Sequence, residues 1–200
     1  NNYKTVAIAV DSNNSPITIK TDLSVLIVGQ SEAGKSTLLW NYLDGLNKLG
    51  VPYKLRVIDP AGGVELANLA SSPNTVDYID DPSHFNDFMN RADRDMQETF
   101  TRMSREGIRN APISADYPLD VIVVDEWLYI PKQDADTKMG RRLAAGRKGN
   151  KVVVALSQLS QKDAVGEVRD LFPQRLCLGV RDASVTDAVL GREAERLGAT

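Results

Sequence analysis

The chain has 200 residues, of which 42% are hydrophobic and 26% are charged, and its formal net charge is -3. This length suits one large α/β domain with a substantial core, and the balance of residue types is that of an ordinary globular protein. The mild acidity argues against a surface coated with DNA-binding residues, although it leaves room for a few basic loops.

A single cysteine, Cys177, excludes an internal disulfide, and its apolar neighbours in Leu176–Val180 predict a small core residue rather than a nucleophile. No apolar run approaches the roughly 18 residues that a membrane-spanning helix needs, and no signal peptide is visible. Because the chain begins with Asn1 rather than Met, we expect a segment of a longer protein. We expect it to be cytoplasmic, with any membrane anchor or partner-binding segment outside these residues.

Strand and helix patterns alternate along most of the chain, which predicts an α/β fold with a mostly parallel sheet and helices on both faces. We expect one domain over residues 1–200, with a lead-in β-hairpin in residues 1–22 and the core in residues 23–200. The most apolar strand, Leu119–Val124, is predicted at the sheet centre. The predicted strands are Thr5–Val10, Ile17–Lys20, Leu23–Val28, Leu55–Ile58, Thr75–Ile79, Leu119–Val124, Lys151–Leu156 and Arg175–Val180. The predicted helices are Lys35–Leu49, Ala61–Ala70, Phe85–Arg105, Thr137–Arg147, Lys162–Leu171 and Ser184–Leu190.

The clearest motif follows the strand Leu23–Val28 and fits the phosphate-loop pattern G-x-x-x-x-G-K-[ST] at every specified position. In such a loop, backbone N–H groups and the N-terminus of the next helix hold phosphate oxygens. Lys35 is predicted to reach the β- and γ-phosphates of ATP, and the Ser36 hydroxyl to bind Mg²⁺. A glycine-rich turn that only caps a helix is the alternative, and the flanking strand and amphipathic helix disfavour it. The predicted nucleotide-binding residues are Gly29, Gln30, Ser31, Glu32, Ala33, Gly34, Lys35, Ser36 and Thr37.

A second candidate segment is the strand Leu119–Val124, which ends in Asp125 and Glu126. Asp125 at the strand tip is predicted to bind Mg²⁺, and Glu126 to act as general base toward the attacking water. Asp59 also follows a strand, but it lacks an adjacent glutamate and ranks second for the metal. Gln158, after the next strand, is a candidate sensor of the γ-phosphate or a contact of the water, with a plain strand cap as the alternative.

These landmarks, in this order, resemble the FtsK/SpoIIIE family of translocation motors. The resemblance implies a RecA-like P-loop NTPase fold, ATP and Mg²⁺ as cofactors, a hexameric ring, and translocation of double-stranded DNA. Family members act in chromosome segregation, in conjugative transfer and in a secretion branch that moves proteins. The matching segments are Val6–Ile19, Ile58-Asp59-Pro60, Val64-Glu65-Leu66, Gly107-Ile108-Arg109-Asn110, Asp125-Glu126, Gly146-Arg147, Leu156-Ser157-Gln158, Gln174-Arg175-Leu176 and Leu190-Gly191.

Four departures from the segregation members point to a relative from a conjugative or integrative element: Ala61, Trp127, Leu159 and Asp187. The leading hypothesis is therefore an ATP-driven hexameric translocase of double-stranded DNA. One alternative is a protein-secretion ATPase of the same family. Another is a nucleotide-dependent assembly or switch protein that hydrolyses ATP slowly.

The resemblance also implies an arginine that stabilises the γ-phosphate of a neighbouring subunit in the transition state. Arg147 and Arg175 are candidates by family match and Arg181 by position alone, and the alternative for each is a surface charge or a helix-end cation. A second set of polar and basic residues is predicted to contact DNA, with a solvated helix face as the alternative. This set comprises Arg109, Asn110, Lys138, Arg141, Arg142, Arg147, Lys148 and Lys151.

Overall fold

The structure, a computed structural model, describes residues 5–11, 13–60, 63, 66–130, 135–158, 166–179 and 183–190. Two strands, β1 (Thr5–Val10) and β2 (Pro16–Lys20), form an antiparallel hairpin. Six strands form a separate sheet: β3 (Val25–Gly29), β4 (Tyr53–Ile58), β5 (Thr75–Ile79), β6 (Leu119–Val124), β7 (Lys151–Gln158) and β8 (Gln174–Leu178). All six are parallel, in the order β5-β4-β6-β7-β3-β8. The predicted fold class is confirmed, and β6 lies near the sheet centre.

Four helices lie between successive strands of this sheet, and a fifth follows its last strand. They are α1 (Lys35–Lys48), α2 (Ala67–Ala70), α3 (Phe85–Arg105), α4 (Gly140–Ala145) and α5 (Ala183–Leu190). Short 3₁₀ turns lie at Pro82–His84, Trp127–Tyr129, Gly146–Gly149 and Gly166–Leu171, and a π-helical turn at Ala135–Met139. Within the described ranges, no helix combines the length and the apolar character that a membrane crossing requires.

The sheet has a hydrophobic core on each face, because successive side chains of a strand point to opposite sides. Along β6, Val121 and Val123 join the core under α1, whereas Ile122 and Val124 join the core under α3. Cys177 is half-buried against the α3-side core, and burial raises the pKa of its thiol. A packing role for this cysteine therefore agrees with the sequence prediction.

The lead-in hairpin is fastened to both α1 and β8. Val6, Ile8 and Ile19 are buried in the core under α1, and the Asn41 side-chain amide of α1 donates to the Ile8 carbonyl at 2.7 Å. The Gln174 side chain, at the start of β8, donates to the carbonyl oxygens of Lys20, the last residue of β2, and of Leu23, both at 3.1 Å. It also accepts from the Lys20 backbone N–H at 2.7 Å. The hairpin is thus an integral layer of the domain.

Three predicted helices differ from the structure. In the predicted helix 61–70 the described helical residues begin only at Ala67, and residues 61, 62, 64 and 65 lie outside the described ranges. The predicted helix 137–147 is divided into π, α and 3₁₀ pieces; at its end a Cβ on Gly146 would lie 2.7 Å from the Lys151 carbonyl oxygen, so the chain packs tightly against the start of β7. In the predicted helix 162–171, the described residues form a 3₁₀ turn at Gly166–Leu171, and residues 162–165 lie outside the described part of the chain.

Several strand ends also shift from their predicted positions, among them those of β7 and β8. β7 extends to Gln158 because it pairs with β3, which runs on to Gly29. β8 begins one residue earlier than predicted, at Gln174, and ends at Leu178, before Gly179, which has φ 60° and lies outside the strand. The extension of β7 matters for function, since it places two polar residues at the sheet edge where the phosphate loop begins.

Candidate nucleotide site

The predicted phosphate-loop residues, Asp125, Glu126 and Gln158 lie together at the carboxyl edge of the sheet, where all six parallel strands end. Pairing of β3 with β7 places Gly29 beside Gln158, and pairing of β6 with β7 places Val124 beside Ala155. The phosphate loop therefore lies on one side of β7, and the Asp125-Glu126 pair lies on the other. Ligands of open parallel sheets bind at this edge, outside the carboxyl ends of the strands.

Two glycines give the phosphate loop its conformation. Gly34, the residue before α1, has φ 92°, a left-handed value that costs glycine little and other residues more. A Cβ at Gly29 would lie 2.9 Å from the Leu178 carbonyl oxygen and 3.0 Å from the Leu178 Cβ, so β8 packs directly against the start of the loop. The motif spacing thus follows from backbone geometry as well as from phosphate chemistry.

The Lys35 ammonium group lies across the phosphate loop. Its Nζ donates to the carbonyl oxygens of Gly29 at 3.0 Å and Gln30 at 2.9 Å. Within the described part of the chain, no carboxylate forms an ion pair with Lys35. Contact between its positive charge and a phosphate stays a prediction.

Glu126 is held tightly at the tip of β6. Its backbone has φ 62° and ψ 83° and its side chain is only 8% exposed. The carboxylate accepts hydrogen bonds from the Gln158 backbone N–H, 3.1 Å from each oxygen, and from the Ser157 hydroxyl at 3.3 Å. A non-glycine residue in such a conformation costs on the order of 1–3 kcal/mol and persists where its surroundings determine it strongly.

The two aspartates at strand tips have different environments. Asp125 is half-buried, and its backbone N–H donates to the Ile58 carbonyl at 2.9 Å. Asp59 is fully buried, and its Oδ2 accepts from the Leu66 backbone N–H at 3.1 Å and the Tyr78 hydroxyl at 3.2 Å. Burial, together with the Asp59 charge, raises the pKa of Tyr78 to about 12. Asp59 is thus turned toward β5 and the start of α2, and Asp125 is the more accessible acid.

The oxygen atoms at this edge suit Mg²⁺ in combination with a nucleotide. In the described part of the chain, no group of three His, Cys, Asp or Glu side chains could hold a metal. Mg²⁺ needs no such cage, because phosphate oxygens and waters supply most of its octahedral shell. The half-buried Ser36 hydroxyl and the Asp125 carboxylate are hard oxygen ligands of the required type and would hold the ion beside the phosphates.

The candidate arginines lie away from the phosphate loop of their own chain. Arg147, in the turn before β7, pairs with Asp22 at 3.4 Å and is 65% exposed. Arg175, near the amino end of β8, pairs with Asp170 at 3.3 Å. A role for either residue toward the nucleotide of a neighbouring subunit stays a prediction, and Arg181 lies outside the described residues.

Two of the residues predicted to contact DNA are instead buried with Asp120, at the amino end of the sheet. Arg142 is 0% exposed and lies 3.0 Å from Asp120 Oδ1, and Lys151 lies 3.3 Å from Asp120 Oδ2. Arg56 adds a third contact, at 3.1 Å. Burial opposes ionisation of Asp120, but the three cations outweigh it and lower the pKa of this carboxyl to about 2. Burial also lowers the pKa of Lys151. The prediction of DNA contacts by Arg142 and Lys151 is therefore wrong, since both side chains neutralise a buried carboxylate.

The other basic candidates divide into two groups. Lys138 donates to the side-chain oxygens of Asn86 and Asn90 on α3, at 2.7 and 3.1 Å, and Arg141 lies 3.7 Å from an α3 aspartate. Arg109, Arg147 and Lys148 are exposed. The Ala111 backbone N–H donates to the Lys148 carbonyl at 2.8 Å, which brings these three residues near the amino ends of β6 and β7, opposite the phosphate loop.

No protein-family model matches the sequence, and no curated protein matches it. Solved structures do match. The cytoplasmic domain of EccC, the type VII secretion ATPase of Thermomonospora curvata, superposes with a TM-score of 0.78 at 18% identity, over 95% of this chain and 25% of that chain. The cytoplasmic domain of EssC gives 0.77 at 16% identity, over 94% and 40% of the two chains. The pCW3 conjugation coupling protein TcpA, solved as a monomer with ATPγS, gives 0.77 at 16% identity, over 93% and 56%.

The chain has the fold of an FtsK/SpoIIIE-type ATPase domain. The chain spans 25–56% of the lengths of those three solved chains. A further structure of T. curvata EccC, comprising its ATPases 2 and 3, contains a signal sequence peptide; it matches at a TM-score of 0.60 and 17% identity, over 82% of this chain and 31% of that one.

The sequence alone did not show how Glu126 is held. It predicted a role for the Gln158 side chain, which is exposed, whereas the contact to Glu126 comes from the Gln158 backbone and the buried Ser157 hydroxyl. The available signal was the polar pair itself, which ends an otherwise apolar strand directly beside the phosphate loop.

Proposed function

We propose that this ATPase domain binds ATP with Mg²⁺ and hydrolyses it. The observation that carries the proposal is the convergence of the phosphate loop, Asp125 and Glu126 at the ends of β3 and β6, the two strands that flank β7. The loop N–H groups and Lys35 bind the phosphates, while the Ser36 hydroxyl and Asp125 would hold Mg²⁺. Mg²⁺, when bound, neutralises phosphate charge.

Glu126 is the proposed general base. It accepts a proton from the water that attacks the γ-phosphorus; a bond forms from the water oxygen to phosphorus, and the bond from phosphorus to the β–γ bridging oxygen breaks. ADP and inorganic phosphate are the products. The Lys35 charge stabilises the negative charge that the phosphate oxygens carry through this step.

At the next level, we propose that the domain is the motor of a hexameric ring that moves double-stranded DNA, in conjugative transfer or segregation. The likeness to the conjugation coupling protein TcpA supports this reading. The exposed basic residues Arg109, Arg147 and Lys148, at the edge opposite the nucleotide, are the proposed DNA contacts. Contacts of this kind weaken steeply as salt rises.

Protein transport is the second candidate function. The likeness to the EccC and EssC cytoplasmic domains is as close as the likeness to TcpA, and one EccC structure contains a signal sequence peptide. Burial of Arg142 and Lys151 also removes two of the basic side chains on which the DNA reading rested.

Steady-state ATP hydrolysis at low salt tests the proposed chemistry. We expect Lys35→Ala to weaken nucleotide binding and hydrolysis together, and Glu126→Gln to retain nucleotide binding while hydrolysis falls at least 100-fold. Lys48→Ala is the matched control for the lysine change, since Lys48 lies on the same helix and is 75% exposed. Glu98→Gln, on the exposed face of α3, is the control for the glutamate change. Full hydrolysis by Glu126→Gln would exclude this residue as the base.

The same assay with linear double-stranded DNA separates the two transport readings. Stimulation that declines with salt, and that Arg109→Ala or Lys148→Ala reduces while Lys48→Ala does not, is the result expected of a DNA motor. Hydrolysis that DNA does not change, in a preparation that sizing shows to be oligomeric, would favour protein transport.

A further inference from the structure

The tip of β7 holds the Glu126 carboxylate through three hydrogen bonds. Oε1 accepts from the Gln158 backbone N–H at 3.1 Å and from the Ser157 hydroxyl at 3.3 Å, and Oε2 accepts from the same N–H at 3.1 Å. Ser157 is fully buried, and its Oγ also lies 3.4 Å from the Gln158 carbonyl oxygen. These contacts join the proposed base on β6 to the strand that runs between it and the phosphate loop.

The two carboxylate oxygens of Glu126 accept from different numbers of donors. Each oxygen of an ionised carboxylate can accept about two hydrogen bonds. Among the described residues, Oε1 has two donors and Oε2 has one. Oε2 is therefore the oxygen with an acceptor position left for the proton of a water molecule.

Glu126 needs such support because its backbone conformation is unfavourable and its side chain is long. With φ 62° and ψ 83°, it occupies a region that most L-residues avoid. Ser157, in contrast, is fixed near the tip of β7 by strand pairing: it lies beside Val28 of β3, and β6 pairs with β7 up to Ala155, two residues earlier. A donor fixed in a strand holds the carboxylate of the base in one position, and catalysis by a general base requires such a fixed geometry.

We propose that Ser157 is a positioning residue for hydrolysis. Its hydroxyl occupies an acceptor position on Oε1 of Glu126, so that Oε2 is the oxygen that faces the attacking water. This inference rests on the proposed ATPase activity. Ser157 touches no reacting atom in this scheme, because it acts only through Glu126. Its effect should therefore fall on kcat and leave nucleotide affinity unchanged.

The test compares variants of Ser157 in ATP hydrolysis and in ATPγS binding. Ser157→Ala should lower kcat on the order of tenfold, the effect of losing one hydrogen bond to a charged group, while the Kd for ATPγS stays within about twofold. Ser157→Thr keeps the hydroxyl and should restore most of the rate. Ser24→Ala is the matched control, since Ser24 is also a buried serine bonded to β7, accepting from the Val153 N–H at 2.9 Å, but at the other end of the strand. Ser24→Ala should leave kcat unchanged.

The outcomes separate this inference from the function on which it rests. If the wild-type protein hydrolyses ATP and Ser157→Ala has the same kcat, the positioning role alone is overturned. The same holds if Ser157→Thr or Ser24→Ala lowers kcat as much as Ser157→Ala does. If the wild-type protein binds ATPγS but does not hydrolyse ATP, both the proposed activity and the positioning role are overturned. If Ser157→Ala is unfolded by thermal melting, Ser157→Cys, which keeps the side-chain volume with a weaker donor, gives the same kcat comparison.

Discussion

Removing the charge of Asp120 should destabilise this domain severely, although Asp120 lies at the opposite end of the sheet from the proposed nucleotide site. Asp120 is 1% exposed and contacts three cations at 3.0–3.3 Å. Asp120→Asn keeps the shape of the side chain but leaves those cations without it. Arg56 retains Asp77 and Asp95 as partners, whereas Arg142 and Lys151 have no other ion pair within the described ranges.

The magnitude follows from the burial of the cluster. Loss of one partner of a buried ion pair costs about 3–5 kcal/mol, because the other charge remains buried and uncompensated. Acid should remove part of the same stabilisation in the wild-type protein. The pKa of Asp120 falls from 3.8 when unfolded to about 2 when folded, which corresponds to about 2 kcal/mol.

The sign of the pH effect follows from the lowered pKa. Since the folded state holds the Asp120 proton less tightly than the unfolded state, this stabilisation is complete above about pH 4 and is lost as the pH falls toward 2. Urea unfolding at pH 7 and at steps down to pH 2 measures both effects. The difference in unfolding free energy between wild type and Asp120→Asn should be largest at pH 7 and should narrow in acid.

Asp44→Asn is the control, because it breaks an exposed pair with Lys48, at 56% and 75% exposure, and should change stability little. Asp120→Asn with wild-type stability at pH 7 would refute the inference that this cluster is a buried, mutually dependent ion network. A stability difference that stays constant down to pH 2 would refute the assignment of the acid-sensitive part to Asp120.

Three further predictions concern other contacts. Gly29→Ala should abolish nucleotide binding, measured with ATPγS, because the new Cβ would lie 2.9–3.0 Å from Leu178 atoms; wild-type affinity would contradict this packing. Tyr78→Phe should lower the free energy of unfolding by about 1–2 kcal/mol in urea, since buried Asp59 loses a donor; an unchanged midpoint would show that the bond contributes nothing. Gln174→Ala should increase amide hydrogen exchange in the hairpin Thr5–Lys20 more than in the central sheet, because it removes the side-chain contacts between β8 and the segment before β3. Equal hairpin exchange in Gln174→Ala and in the wild-type protein would show that α1 alone holds the hairpin.

Local features of the sequence were enough for the fold class and for the position of the phosphate-loop motif between β3 and α1. The strand Val25–Gly29, the phosphate-loop pattern and the amphipathic face of α1 are contiguous in the chain, and each depends on rules of short range. The acidic pair could be predicted because it directly follows an apolar strand. Its place beside the phosphate loop follows because parallel strands all end at one edge of the sheet. Burial of the β6 strand on both faces explains why all of its residues except Asp120 are apolar.

Only the tertiary structure decided which polar residues are partners. Arg142 and Lys151 look like surface cations in a basic segment, and Asp120 like one polar residue in an apolar strand; packing of α4 and β7 against β6 buries the three together. Ser157 and Glu126 are 31 residues apart and meet because their strands are neighbours. Hydrophobic periodicity determines which face of each element is buried, but the pairing of charges and hydrogen bonds depends on strand order, which no local pattern specifies.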